Sequence, residues 1–240
     1  MTGKMHDTER PGGRALKRRV REALATGDEA VALDLLEDIP SRVLVSPLFG
    51  ALHLMEPRVH WTAVRVMGGV TARLAGEDVE RARVVLRRMM WNLNDESGGI
   101  GWGVPEAMAE ILVRHDGLAG EFVNILASYS REEGNFLEHP PLQPGLLWGL
   151  VRLAGARPAL LRAARPDPVP FLRADAPVLR GLACRLAGLL GMEETRPELE
   201  LLLEDDREIR DDLDGILPPG RVKDRARESL NMLDNKGSPP

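Results

Sequence analysis

The sequence predicts an all-α solenoid, on three observations. Apolar residues recur at helical spacing through most of the 240 residues, and nothing alternates with period two for long enough to be a strand. Aromatic residues make up 4% of the chain against 43% hydrophobic residues overall, with Leu, Ala, Val and Met carrying the apolar load, a composition that favours helices over a β sandwich. The helices also come in pairs with a recurring joint, in which a proline sits in the first turn, where a missing N–H is harmless, and an apolar residue follows two positions later. The instances are Pro57-Arg58-Val59-His60, Pro105-Glu106-Ala107-Met108, Pro144-Gly145-Leu146-Leu147 and Pro177-Val178-Leu179-Arg180, with Arg207-Glu208-Ile209-Arg210 as a version without proline. Their irregular spacing, roughly 30 to 50 residues, is that of a helical solenoid rather than a propeller or coiled coil.

The elements follow in order. Residues 1–12 are polar and lead into Pro11-Gly12-Gly13, which reads as a flexible tail. From Arg14 a helix carries Leu16, Val20, Ala23 and Leu24 on one face, and Thr26-Gly27 closes it. Asp28 caps a second helix that runs through Leu35 and Leu36 and ends before Pro40. The expected pairs are 14–25 with 28–38, 41–54 with 57–75, 77–93 with 104–115 and 118–131 with 144–155. A short turn near 157–173 then pairs with 177–191, and 195–204 pairs with 207–214. Residues 218–234 form a polar closing helix. Residues 13–234 are expected to make one domain, and 235–240 a disordered tail. In Ala176–Gly191 the positions Leu179, Leu182, Ala183, Leu186, Leu189 and Leu190 form one apolar face, while Ala183, Ala187 and Gly188 permit close helix approach.

DAPVLRGLACRLAGLLG, residues 175–191, resembles the second helix of a HEAT repeat: an Asp, a Pro, a Val and Arg, then an alanine-rich amphipathic run. PELELLLEDDREIR, residues 197–210, is similar to the first helix and joint of the next repeat, and EPRVHWTAVRVMGGV, residues 56–70, is a looser match with His60 in place of the usual arginine. The resemblance is to the short HEAT-like repeats first named from phycobilisome lyases, in the armadillo/HEAT superfamily. It covers about two thirds of the chain and implies a right-handed α-solenoid of about six HEAT-like helical pairs. Such repeats serve as scaffolds, binders and occasionally enzymes, so the resemblance speaks to fold rather than function.

Composition narrows the function classes. The single cysteine, Cys184, excludes an intrachain disulfide and an all-cysteine metal site, and it reads as a small buried hydrophobe. The first residues lack an apolar signal segment and no run approaches the ~18 apolar residues of a membrane span, so a cytoplasmic location and no membrane association are expected. A net charge of −5 argues against a protein that coats nucleic acid. Charge is uneven: Arg14, Lys17, Arg18, Arg19 and Arg21 make the first helix basic, whereas Glu204, Asp205, Asp206, Glu208, Asp211, Asp212 and Asp214 make a stretch near the C-terminus acidic. Both read as solvated faces.

The chemistry-bearing stretch is WNLNDESGGIGWGVPEAMAEIL, residues 91–112. Its loop carries Asn92, Asn94, Asp95, Glu96, four glycines and the tryptophans Trp91 and Trp102. A second enlarged joint, Glu132 to Gln143, leads into Pro144 and Trp148. Equivalent joints of successive repeats fall on one edge of a solenoid, so the two are expected to meet and frame a pocket. The candidate binding residues are Trp91, Asn94, Glu96, Trp102, Glu106, Glu110 and Trp148. Glu106 and Glu110 lie on one helix face and, with Asp95 or Glu96, form a carboxylate cluster suited to a cation or to acid–base work, although glutamate in a first helical turn is favoured by the dipole alone. The glycines lack the strand and Lys-Ser/Thr of a phosphate-binding loop.

Some HEAT-repeat proteins are iron hydroxylases with His-Glu dipeptides at their joints; this chain has none, and His53, His60, His115 and His139 are scattered, so no metal or cofactor is expected. A HEAT-like family that removes alkylated bases from DNA uses tryptophans and an aspartate in a basic groove. Here Arg65, Arg73, Arg81, Arg83, Arg87 and Arg88 supply a candidate basic face, but 28 arginines against 4 lysines reflect a general preference for arginine equally well. The expectation is a non-catalytic scaffold binding a partner protein or peptide on its concave face, with the 92–110 loop as a contact. The alternative is a small-ligand or enzymatic site between the 92–104 and 132–143 loops.

Overall fold

A computed structural model describes residues 13–94, 100–210 and 213–237. It is an all-α solenoid. The helices are α1 (Gly13–Leu24), α2 (Glu29–Asp34), α3 (Ser41–Leu52), α4 (Pro57–Glu77), α5 (Val79–Leu93), α6 (Val104–Arg114), α7 (Asp116–Ser128), α8 (Gln143–Ala156), α9 (Pro158–Ala164), α10 (Val169–Leu172), α11 (Pro177–Leu190), α12 (Arg196–Leu201) and α13 (Val222–Gly237). The capping chemistry follows the sequence. Asp28 accepts from the Val31 N–H at 3.1 Å and Asp78 from the Arg81 N–H at 3.2 Å, while α4, α6, α8, α9, α11 and α12 carry proline in their first turn. Gly27 (φ 73°) after α1 and Gly191 (φ 69°) after α11 take the left-handed conformation that closes a helix.

The pairs stack into two rows. In one row α4, α6, α8, α11 and α13 pack each on the next; α3, α5, α7, α9, α10 and α12 form the second row against it, and α1 and α2 cover the start. The first row is held close by missing side chains. A Cβ on Gly68 of α4 would stand 2.8 Å from Glu110 Cβ of α6, one on Gly149 of α8 would stand 2.8 Å from Ala109 Cβ of α6, and one on Gly188 of α11 would stand 3.0 Å from the Ser229 backbone of α13. This row forms the inside of the curve: Trp61 of α4 and Trp148 of α8 touch across the intervening α6, their ring centroids 4.9 Å apart. Side chains two repeats apart meet only where the row bends toward them. A continuous core of Leu, Ala, Val and Met fills the space between the rows.

One predicted helix is replaced. Residues 207–214 were expected to be the partner of the 195–204 helix, but Glu208–Ile209 is a two-residue strand, β1, paired antiparallel with β2 (Gly220–Arg221), and α12 packs instead on α13. The run Glu208-Ile209-Arg210 carries a single apolar residue and is followed by Pro218-Pro219, too little to sustain an amphipathic face. The segment between the strands folds back over the inner row. Ile209 and Leu217 are buried against Gly181 of α11, and the Trp148 indole N–H donates to the Leu213 carbonyl at 2.9 Å. Arg65 of α4 pairs with Asp214. At the segment's base the buried Arg180 binds Asp205 at 2.8 Å. The 28–38 helix is also shorter than expected, since α2 ends at Asp34 in turns, and the 157–173 stretch resolves into two short helices.

The glycine contacts predict opposite effects at two sites. Gly149→Val is expected to cost about 1–3 kcal/mol by forcing α6 and α8 apart. Gly120→Ala in α7, where an added Cβ meets nothing within 4 Å, is expected to gain about 0.5–1 kcal/mol through helix propensity. Urea unfolding of the two variants checks the pair.

Candidate functional site

The two enlarged joints do meet. Trp102, Gly103 and Glu106 from the first, and Pro141, Leu142, Pro144 and Gly145 from the second, line one cleft of about 240 Å³. The third wall comes from the α3–α4 joint, with Leu52, Leu54, Met55, Pro57, His60 and Trp61, and Leu213 of the folded-back segment closes the inner side. Each wall has a local reason. Gly103 takes φ 70° at the start of α6, and a Cβ there would sit 2.9 Å from the His60 ring and 3.1 Å from the Leu52 carbonyl. Only glycine lets the 100–103 turn lie this close against the α3–α4 joint. On the opposite side a 3₁₀ turn, Pro140–Leu142, brings Pro141 and Leu142 to the wall.

Glu106 is the polar centre of this apolar cleft. It is 8% exposed, its carboxylate lies against the Gly145 Cα so closely that a Cβ would fall 2.2 Å from Oε1, and Oε2 has no hydrogen-bond partner among the described residues. Burial pushes its pKa up to about 7, opposed by its own backbone N–H at the start of the helix. His60, the other titratable group on the wall, donates Nδ1–H to the Leu52 carbonyl at 3.1 Å, because a carbonyl can only accept. Burial holds its imidazole below the ordinary 6.5, against the pull of that bond and of Asp214. His60 therefore stays neutral where Glu106 titrates and is no counter-ion for it.

Glu110, one turn further on, has the opposite environment. It is 1% exposed, yet Arg152 Nε donates to it at 2.7 Å and Arg114 pairs with its other oxygen; Arg114 in turn binds Glu29 at 2.7 Å. It is the centre of an ion network tying α2, α6 and α8, away from the cleft.

Of the residues singled out in the sequence, Trp102 and Glu106 line the cleft together. Trp148 is buried at 1% exposure behind Trp61 and acts through its bond to Leu213. Trp91 is 71% exposed and does not line the cleft, and Asn94 Nδ2 reaches Tyr129 Oη at 3.5 Å. Glu96, with Asp95, lies outside the described residues. Sequence reasoning missed Trp61 and passed over His60. A signal was present: Trp61 follows Pro57 by four, as Trp148 follows Pro144 and Ala109 follows Pro105, so two tryptophans share one repeat position with alanine between them.

The arginines of the candidate basic face are engaged elsewhere. Arg83 binds Glu121 at 2.6 Å and Glu80 at 3.3 Å, Arg87 binds Glu80 at 2.7 Å, Arg81 binds Asp78 at 2.9 Å and Arg73 Nε donates to Ser41 at 2.8 Å. Arg65 pairs with Asp214, and Arg88 stacks 4.2 Å over Phe49. Among the described residues no group of three or more His, Cys, Asp or Glu is placed to hold a metal ion, and no helix is long and apolar enough to cross a membrane. Cys184 is buried, and its thiol is pushed up to about 12 by that burial.

No protein-family profile matches this chain, and no curated protein matches it. Solved structures do. Two engineered proteins from a structural-genomics effort superpose with TM-scores of 0.58 and 0.57, at 14% and 13% identity, over 93% and 95% of this chain and 92% and 95% of theirs. A designed armadillo repeat protein superposes with a TM-score of 0.51 at 16% identity, over 94% of this chain and 96% of its own. At such identities the likeness speaks to fold alone, and the fold it shows is an armadillo/HEAT-like helical repeat.

Proposed function

We propose that this chain is a non-catalytic binding scaffold whose recognition element is the cleft at the meeting of the two enlarged joints, into which a partner protein or peptide inserts a side chain. The observation that carries this reading is the juxtaposition of aromatic walls with a buried carboxylate whose Oε2 has no hydrogen-bond partner among the described residues. The concave face as a whole is a weaker candidate than its rim, because Ile209 and Leu217 already cover α11 while Leu213 and Asp214 reach α8 and α4. The volume of the cleft supports a second reading, a free small ligand: an apolar cavity of about 150 Å³ holds benzene, and this one is larger. An enzymatic reading has less support, since Glu106 faces one neutral histidine on the cleft wall and none of the described lining residues is a nucleophile.

Holding Glu106 in this place costs stability. Its carboxyl titrates near 7 when folded against 4.5 for the ordinary group, so the folded chain favours the protonated form. That contribution is complete below about pH 4.5 and is lost as pH rises through 7, a difference of roughly 3 kcal/mol. Glu106→Gln, which cannot ionise, is therefore expected to be more stable than the parent at pH 8 by up to about that amount, with the advantage fading toward pH 4.5. Denaturant titrations at the two pH values measure it; equal stabilities at pH 8 would contradict the buried carboxylate. Trp102→Ala combined with Glu106→Gln is expected to abolish partner capture in a pull-down while far-UV circular dichroism stays helical. Undiminished capture rejects the cleft as the contact.

A further inference from the structure

We infer that the group the cleft takes up is an organic ammonium ion carried on an apolar stem, its charge set on Glu106 and its stem between Trp61, Trp102 and the leucine and proline walls. This deepens the binding reading and rests on it.

The argument is from charge and shape. Among the described residues Glu106 is the sole ionisable acid on the lining, and none of them brings a lysine or arginine to the cleft. The chain has 28 arginines and spends two of them, Arg114 and Arg152, on Glu110 one turn away, yet supplies none to the unpartnered Oε2 of Glu106. A buried carboxylate without a cation is costly, and a ligand that brings the cation removes that cost. The walls suit the same charge, since the faces of the two indoles attract cations and repel anions. The remaining surface, from Leu52, Leu54, Pro141 and Leu142, matches an alkyl or aryl stem rather than a second polar group. A compact ammonium fits this better than a guanidinium, whose five donors would find one carboxylate.

The pH response follows from the groups around Glu106. From α4 it faces His60, which stays largely neutral above pH 6.5. Beyond that ring lies Asp214, which is paired with Arg65, and along α6 lies Glu110, which is saturated by Arg114 and Arg152. Among the described groups facing the cleft, Glu106 is the one that burial brings to a pKa of about 7. An ammonium needs the ionised form, so its affinity is expected to fall about tenfold from pH 8 to pH 6.

The test follows the Trp102 indole N–H by NMR during titration with n-butylammonium, with 1-butanol as the neutral isostere and butyrate as the anion. The expected result is that butylammonium binds at least tenfold more tightly than 1-butanol at pH 8, and that this preference disappears in Glu106→Gln and shrinks about tenfold at pH 6. If 1-butanol or butyrate binds as tightly as butylammonium, the cleft is a binding site but the cationic assignment is overturned. If none of the three shifts the Trp102 signal, the binding reading falls with it. Nα-acetyl-lysine N-methylamide separates two sources of the same chemistry. Binding at least as tight as butylammonium assigns the ammonium to a partner's lysine, and weaker binding assigns it to a free amine.

Discussion

The structure depends on how closely the helices of the inner row approach one another. HEAT-like pairs bury nothing alone, so each helix must find its apolar partner in the next repeat, and the distance between them sets the curvature of the whole. Here one partner at each contact is glycine: Gly68 against Glu110, Gly149 against Ala109, Gly188 against Ser229. With the side chain missing on one side of each contact, the row bends sharply enough for Trp61 and Trp148 to close over α6. The cleft is a consequence of that bend. It forms where the N-terminal ends of α4, α6 and α8 are drawn together and their connecting joints, too long to be tight turns, fold over the gap.

The segment between β1 and β2 belongs to the same logic. A concave apolar row exposed to water would be a liability in a chain with no partner bound. Ile209, Leu213 and Leu217 take up that surface, with the Trp148 N–H and Arg65 fixing the backbone and the acidic side chain that come with them. The acidic residues leading into it are paired within the chain: Arg180 holds Asp205, Arg221 and Lys223 hold Asp206, and Arg210 holds Glu208. At Asp205, Asp206 and Glu208 the charge that stands out in the sequence is held in local pairs. The rim beyond Leu213 stays open to a ligand.

Much of this was legible in the sequence, for physical reasons that differ between residues. Helix starts are local chemistry, and Asp28, Pro57, Pro105, Pro144 and Pro177 act where their positions say they should. The meeting of the two enlarged joints followed from the repeat geometry alone. The 207–214 segment did not read correctly because it imitates a joint, with Arg207-Glu208-Ile209-Arg210 in the register of Pro177-Val178-Leu179-Arg180, and what decides against a helix is the burial of Ile209 on Gly181, a contact nearly thirty residues distant in sequence. Trp148 and Trp61 exchanged roles for a related reason. Both occupy the same repeat position, but Trp148 is covered by Leu213 and Trp61 is left to face the cleft, and that difference comes from a segment some sixty residues beyond Trp148.

The comparison between Glu106 and Glu110 carries the argument for function furthest. Both lie on α6, one turn apart, and both are more than nine-tenths buried. Burying a carboxylate in an apolar setting costs several kcal/mol unless it is paired. At Glu110 the fold supplies the compensation, with two arginines from two helices and a further acid to hold one of them in place. At Glu106 it supplies no cation among the described residues and leaves Oε2 without a partner, and it removes the side chain of residue 145 so that the carboxylate has room to stay. Packing alone would be served as well by an apolar residue at 106, with no charge to desolvate. A scaffold that solves the same electrostatic problem fully at one position and leaves it open four residues earlier, on the wall of its aromatic cleft, has the form of a site completed from outside.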